Sequence, residues 1–321
     1  MKLSVLTVAT YDKTLEEAAA YLSSLGVSSL EIGVGGCPGN THLNPDDYLG
    51  KPEKIQELKN MLAKYNLDIC ALSVHGNPVH PDPEVAKSYH EDFEKAVLMA
   101  EVLGVETVIT FSGCPGGAPG DKTPNWATCA WPEDFLKVLD YQWNDVLIPY
   151  WKKAAAFANE HGVKKIALEM HPGFCVYNPE TLLKLRAAVG DTIGANLDPS
   201  HLLWQGIDMV AAIRALGGAI HHFHAKDTKI DEMNTAVNGV LDTKHYGDEL
   251  HRSWIFRTVG YGHDAKVWKD IISNLRLVGY DGAVSIEHED SLMTGKEGLE
   301  KAIKFLQDVI IFEGTQEMWW A

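Results

Sequence analysis

Short apolar runs alternate along this chain with longer stretches in which apolar side chains recur every three or four positions. The short runs have the length and the β-branched content of buried strands, and the longer ones have helical period. Residues 3–9, 28–33, 67–74 and 105–111 read as the first four strands. The stretch 15–25 reads as a helix opened by Thr14 with Glu17, a capping-box pair, and stopped by Gly26. Residues 52–65 and 84–103 follow as helices. In the second of these Phe93, Ala96, Val97, Ala100 and Leu103 share one face, and Gly104 ends it. A long helical pattern runs over 132–160, with a kink expected at Pro149. Three more strands end at Glu169, Asp198 and His224, separated by helices over 179–189 and 208–216. A helix over 267–277, an eighth strand over 283–287 and a last helix over 298–312 complete the pattern. Two polar stretches, 113–131 and 228–262, break the rhythm and are long for loops.

Strands joined through helices must pair in parallel, because the crossover returns the chain to the same end of the sheet. Eight such units predict a (β/α)8 TIM barrel, with long loops after strands 4 and 7. The rival is an open doubly wound sheet. The barrel is preferred because metal-type ligands end four separate strands, and only a closed ring brings those ends together. No domain boundary is visible, so residues 1–321 form one domain with an aromatic tail at 313–321 that ends in Trp319-Trp320-Ala321. Exposed indoles of this kind mark an interface. The tail is therefore expected to pack on a second subunit or to fold back over its own barrel near the last helix.

A formal charge of −16 and an apolar fraction of 45% fit a self-repelling globular enzyme with a full core. The same charge speaks against a nucleic-acid partner, which would need clustered Lys and Arg. Cys37, Cys70, Cys114, Cys129 and Cys175 are odd in number and contain no CxxC pair, which fits reduced thiols and a cytoplasmic protein. No run is long enough to span a membrane, and no signal peptide is evident.

The chemistry concentrates at the strand ends. The runs 166–169, 195–198, 221–224 and 284–287 finish in Glu169, Asp198, His224 and Glu287. Three carboxylates and one imidazole at one rim suit a divalent ion such as Mn2+, Mg2+ or Co2+. His222 shares the phase of His224, so it faces the barrel interior and His221 faces out. His75 and His171 follow the third and fifth strands, where either can bind a hydroxyl, act as base, or simply cap or face solvent. Lys226 and Asp227 follow His224. Asp227 is read as orienting His224 or another rim group, or as a salt-bridge partner of Lys226. Arg257 is a candidate for a polyhydroxyl or anionic ligand. His245, His251 and His263 in the second long loop read as solvated first and as ligands second. Trp126, Trp131, Trp204 and Trp254 are candidates for stacking on a sugar or aglycone, with core packing as the plain alternative.

The motifs Leu168-Glu169-Met170-His171-Pro172, Leu197-Asp198-Pro199-Ser200-His201, His222-Phe223-His224-Ala225-Lys226-Asp227 and Ser285-Ile286-Glu287-His288-Glu289 resemble those of the xylose-isomerase-like TIM barrels, the sugar phosphate isomerase/epimerase superfamily. The resemblance covers essentially the whole chain. It implies one divalent metal, Mn2+ first among the candidates, on Glu169, Asp198, His224 and Glu287, and substrate contact by His201. It implies a metal-dependent isomerase or epimerase that takes a proton from beside the carbonyl of a keto sugar and passes through an enediolate. Glu169, Glu287 or His171 would be the base, with His75, His201, Lys226 and Arg257 on the substrate. It further implies a homo-oligomer.

One departure matters. Some ketose epimerases of this superfamily carry an Arg shortly after the metal His, whereas here the chain reads Ala225-Lys226-Asp227-Thr228-Lys229-Ile230. With the two long loops, that leaves open a lyase resembling the catalytic subunits of C-glycoside deglycosidases, which act on 3-keto-glycosides and carry a second subunit type. Endonuclease-IV-like repair is disfavoured by the acidic balance, and a non-catalytic sugar-binding barrel by the intact ligand set.

Overall fold

The computed structural model describes residues 1–320. Eight parallel strands close into a barrel: β1 (Lys2–Leu6), β2 (Ser29–Gly33), β3 (Asp68–Ser73), β4 (Thr107–Phe111), β5 (Lys165–Glu169), β6 (Ile193–Leu197), β7 (Ile220–Ala225) and β10 (Ala283–Ile286). Each pairs with its neighbour in sequence, and β1 closes the ring on β10 with Lys2 opposite Ala283 and Val5 opposite Ile286. The main apolar core lies between this ring and the helices around it, with Leu3, Leu30, Leu72, Val108, Ile166, Leu197, Phe223 and Val284 all buried. The lumen is different. A small apolar plug of Ala71, Ile109 and Ala167 sits in it, together with the buried polar side chains of Glu31, Ser73, Asn196, His222, His224 and Ser285. A fully apolar lumen would be the ordinary way to fill a barrel of this size.

The helices begin and end where the sequence signals lie. The first, Leu15–Ser24, has the capping box of Thr14 and Glu17 formed in both directions. The long helix Pro83–Leu103 starts with Pro in its first turn and stops on the left-handed Gly104. Three elements differ from expectation. The first strand stops at Leu6 rather than residue 9, because Thr7–Thr10 tightens into a 3-10 turn with the Thr10 hydroxyl on the Thr7 carbonyl. The pattern over 132–160 divides into Asp134–Asp140, a π-helical stretch Tyr141–Leu147, and Ile148–Glu160. Pro149 lies in the first turn of the last piece, where a missing N–H is tolerated, and the ladder widens just before it instead of kinking at it. The widened turn buries Gln142, whose amide donates to the carbonyls of Pro115 and Asn125 and so holds the loop over 113–131.

The third difference is the stretch 228–262. It is a folded flap rather than a polar loop. Strand β8 (Asp227–Ile230) pairs antiparallel with β9 (Trp254–Arg257), and a short helix, Glu232–Asn238, bridges them. The flap is anchored by two buried carboxylates. Asp227 accepts from the backbone N–H of Thr228, Gly260, Gly262 and His263, and from the side chains of His263 and Trp268. Gly262 is required here because a Cβ would lie 2.3 Å from the Thr228 carbonyl. Asp290, on the loop after β10, accepts from Arg257 and from both the N–H and hydroxyl of Thr258. Asp227 thus clamps the flap and bonds neither His224 nor Lys226, the two partners named for it from the sequence. Within the flap Trp254 stacks face to face on Trp204 at 4.6 Å, so these two indoles are packing groups.

The aromatic tail does not fold over its own barrel. Met318, Trp319 and Trp320 are exposed, and the two indoles meet edge to face at 5.6 Å. Among the described residues no helix is long and apolar enough to cross a membrane.

Asp227 serves more donors than any other flap residue, and its loss would strand several buried N–H groups at about 1–3 kcal/mol each. Asp227→Ala should therefore lower the melting temperature by roughly 5 °C or more, measured by circular dichroism. A melt within about a degree of the parent would show that the clamp carries no stability.

Candidate metal centre

Glu169 ends β5, and Asp198 and Glu287 stand one residue beyond β6 and β10, while His224 lies inside β7. The parallel closed sheet brings all four to the same rim. One ligand atom from each lies within 4.8 Å of every other. Ligands around one divalent ion sit about 3–4.5 Å apart, given metal–oxygen bonds near 2.1 Å. Glu169, Asp198 and His224 are buried, and Glu287 keeps 17% of its side chain exposed.

Two buried atoms of this cluster, Asp198 Oδ2 and His224 Nδ1, have no hydrogen-bond partner, and neither has Nε2 of the adjacent His201. Buried polar atoms are seldom left unpaired. His224 Nδ1 lies 3.2 Å from oxygens of both Glu169 and Glu287. Its other nitrogen, Nε2, faces Glu31 at 2.9 Å. A donor set of this kind, with lone pairs converging on one point, fits a divalent cation.

The electrostatics point the same way. Burial, with the charges of Glu169 and Glu287 added, pushes Asp198 up to about 6 against the pull of His201 and Lys226. Burial would also raise Glu169, but His75, His201 and His224 outweigh it and hold the group well below the usual range. Glu287 is likewise held down, to about 2, because Lys226 and His224 overcome its burial. Burial lowers His224, yet Glu31, Glu169 and Glu287 carry it well above its ordinary value. Lys226 is fully buried, and Glu287, Glu289 and Asp198 keep its ammonium charged.

The other expected site residues are placed in different ways. His75 and His201 close on Glu169: His75 Nε2 donates to Oε2 at 3.0 Å, and His201 Nε2 lies 3.1 Å from Oε1. Lys226 bonds Glu287 at 3.2 Å, meets Glu289, and lies over the Phe256 ring. His171 packs on His201 with ring centroids 4.0 Å apart, and burial pushes its pKa down to about 3, so the ring is neutral. Arg257 is not brought in. It lies on the flap, is engaged by Asp290 from the loop after β10, and lines neither compartment described below. His222 does face the lumen, and His221 faces outward onto the Asp191 carbonyl. His263 belongs to the Asp227 clamp, and exposed His251 pairs with Asp248.

Two site residues were not singled out from the sequence. Asn196 donates its amide to Glu169 at 3.0 Å. Glu31, at the middle of β2, is fully buried and bonds both His222 and His224. The available signal was an acidic residue out of phase with Leu30 and Ile32 in an otherwise apolar run.

Two cavities open on the rim and share His288 and Glu289. The inner one, about 170 Å3, is lined by Leu6, Cys37, His75, Phe111 and Glu287. The outer one, about 640 Å3, is walled by His171, Met293 and the flap residues Tyr246, Ile255 and Phe256.

A family model described as xylose isomerase-like TIM barrel matches residues 19–309. The protein YfiH of Bacillus subtilis (strain 168), itself uncharacterized, is 44% identical over 97% of this chain and 99% of its own. The inosose dehydratase of Mesomycoplasma hyopneumoniae is 24% identical, covering 93% of this chain and 90% of the relative. Among solved structures, an IolI protein with a bound zinc atom has the same fold, with a TM-score of 0.66 at 21% identity, covering 97% of this chain and 98% of the other.

The shifted groups give a pH test. A raised Asp198 stabilises the ion-free chain below its unfolded pKa near 3.8, and that contribution is lost as pH rises through about 6. Protons on Asp198 and His224 also compete with a cation. Added Mn2+ or Zn2+ should therefore raise the melting temperature more at pH 7.5 than at pH 5. At a hundredfold excess over Kd the gain at the higher pH is worth about 3 kcal/mol. Equal shifts at both pH values would separate ion binding from these two groups.

Proposed function

The chain belongs to the xylose isomerase-like TIM barrel family, and on that premise we propose that it is a divalent-metal-dependent sugar isomerase or epimerase. Its substrate is a keto sugar, and its reaction removes a proton from the carbon beside the carbonyl. The observation that carries this reading is the four-residue cluster with its unpaired Asp198 Oδ2 and His224 Nδ1. Glu169, Asp198, His224 and Glu287 would hold the ion, Mn2+ first among the candidates. When bound, it supplies Lewis-acid polarisation of the carbonyl.

The chain's own residues divide the remaining work. Glu287 lines the inner cavity and is the more exposed of the two glutamates, whereas Glu169 is enclosed by His75, Asn196 and His201. Glu287 is therefore the base. Lys226 keeps it ionised and so ready to accept a proton. The same ammonium, with Nζ 3.2 Å from Glu287, offsets the negative charge that grows on the substrate as the proton leaves. Glu169 holds the opposite side of the site in register. Protonation of the neighbouring carbon gives isomerisation, and protonation of the other face gives epimerisation. His171 is neutral and offers a second acceptor, but it stands in the wall of the outer cavity rather than the inner one.

The outer cavity favours a second reading. The flap adds about 640 Å3 beyond Glu289, more room than a small sugar in the inner cavity would use. A keto-glycoside fits that space, and there the same proton removal would end in loss of a substituent, as in a lyase. The dehydratase relative is in keeping with an elimination of this kind.

Glu287→Gln should cut turnover at least ~100-fold, the scale of a lost general base, with ion content measured in the same preparation. Exchange of the substrate's α-hydrogen for solvent deuterium, followed by NMR across a panel of keto sugars and keto-glycosides, reads the step directly. Glu169→Gln should lose exchange together with bound ion. A fully loaded Glu287→Gln protein that exchanges at the parent rate would remove Glu287 as base, and His171→Ala in the same assay tests the competitor.

A further inference from the structure

We infer that Glu31 is a positioning residue for the metal centre, and that it fixes which nitrogen of His224 is presented to the ion. The inference rests on the metal-site reading above and concerns a residue that touches neither the cavities nor the proposed ion. Glu31 sits in the lumen on β2, across from β7, fully buried. Its carboxylate receives four side chains from three strands. The Ser73 hydroxyl and His224 Nε2 reach Oε1. The Ser285 hydroxyl at 2.6 Å and His222 Nε2 at 3.0 Å reach Oε2, which His224 Nε2 also meets at 3.0 Å.

An ionised carboxylate is acceptor-only, so each nitrogen facing it must carry a proton. For His224 that places hydrogen on Nε2. In the neutral ring that would take an ion, the remaining lone pair is then on Nδ1, the atom that lies 3.2 Å from Glu169 and Glu287. A carboxylate behind a ligating imidazole also makes the ring a better donor. The two serines and His222 hold Glu31 itself, so His224 is aimed by a carboxylate that cannot swing.

The same residues admit another use, since Glu31, His222 and His224 each offer a ligand atom within 4.8 Å of the others. The bonding speaks against a second ion there. A carboxylate has about four acceptor positions, and four protein donors already fill them.

The test is calorimetric titration of chelator-stripped protein with Zn2+ and with Mn2+. The parent should bind one ion per chain. Glu31→Gln should bind it 10–100-fold more weakly, the usual cost of losing such a partner, because the amide can turn its N–H toward the ring and move the proton to Nδ1. His222→Asn shares the same carboxylate but leaves His224 in place. It should lower the melting temperature while changing ion affinity less than about threefold. A merely structural Glu31 would move the melt in both variants and the affinity in neither. Glu31→Gln binding at parent affinity would overturn the inference, and so would two ions per parent chain. Should Glu31→Gln not fold, nitrogen-15 NMR of the zinc-loaded parent decides. The His224 ring, assigned by its absence in His224→Asn, should carry its proton on Nε2, and a proton on Nδ1 overturns the proposal. A parent that binds no divalent ion at all would instead refute the metal-site reading itself.

Discussion

Mutual repulsion among three carboxylates is the constraint on which the rest of this barrel depends. Glu169, Asp198 and Glu287 offer oxygens within 4.8 Å of each other in a place that water barely reaches. Charges of one sign at such a spacing repel strongly at low dielectric, and without compensation the groups would protonate or the strands would part. The chain compensates from every side. His75, Asn196 and His201 surround Glu169, Lys226 stands against Glu287, and His224 is drawn between Glu169 and Glu287. Asp198 receives the least, a single backbone N–H from Ser200, and it is the carboxyl whose pKa rises. The imbalance left at Asp198 is where a cation gains most.

That arrangement explains the polar lumen. A ring of Val and Leu would pack better, yet it could not hold His224 in one orientation. Glu31, Ser73, Ser285 and His222 form a layer beneath the rim, and the carboxylate of Glu31 gives the imidazole a fixed partner. The apolar plug of Ala71, Ile109 and Ala167 lies in the same lumen. The barrel thus keeps part of its lumen apolar and gives the rest to hydrogen bonds that orient ligands. Buried polar layers of this sort are costly when incomplete, and this one is filled on all four acceptor positions.

The convergence of Glu169, Asp198, His224 and Glu287 was legible because parallel closure makes their positions a matter of phase. An acid or imidazole at the C-terminal end of a barrel strand must stand on one rim, whatever lies between. The family membership and the closed barrel expected from the sequence are found. Glu31 was not legible, since its partners His222 and His224 are 191 and 193 positions away and no local pattern links them. The flap escaped for a related reason. Strands β8 and β9 are short, and the stretch between them is too long to read as a turn. Asp227 beside the metal-type His224 invited a reading as its partner, but its neighbours in space are the amides of residues 260–263. The π-helical stretch ahead of Pro149 shows the same limit, since proline marks where a helix must adjust and tertiary packing decides how.

The flap links stability to specificity. Its two anchors, Asp227 and Asp290, are buried carboxylates saturated by backbone and side-chain donors, so they act as fixed posts and leave no acceptor for a ligand. Lys226 is committed to Glu287 and Glu289 and covers one face of Phe256. What the flap offers the outer cavity is therefore mostly carbon, from Tyr246, Ile255 and Phe256. The inner cavity, by contrast, is bounded by Glu287 and His75. A molecule spanning both would meet charge at its reacting end and apolar surface at the other. The rim chemistry can stay constant while the flap changes, because no flap residue is among the four proposed ligands, and neither of the carboxylates that anchor the flap, Asp227 and Asp290, is one of them. On the proposed reading, substrate choice and proton chemistry fall to separate parts of one rim.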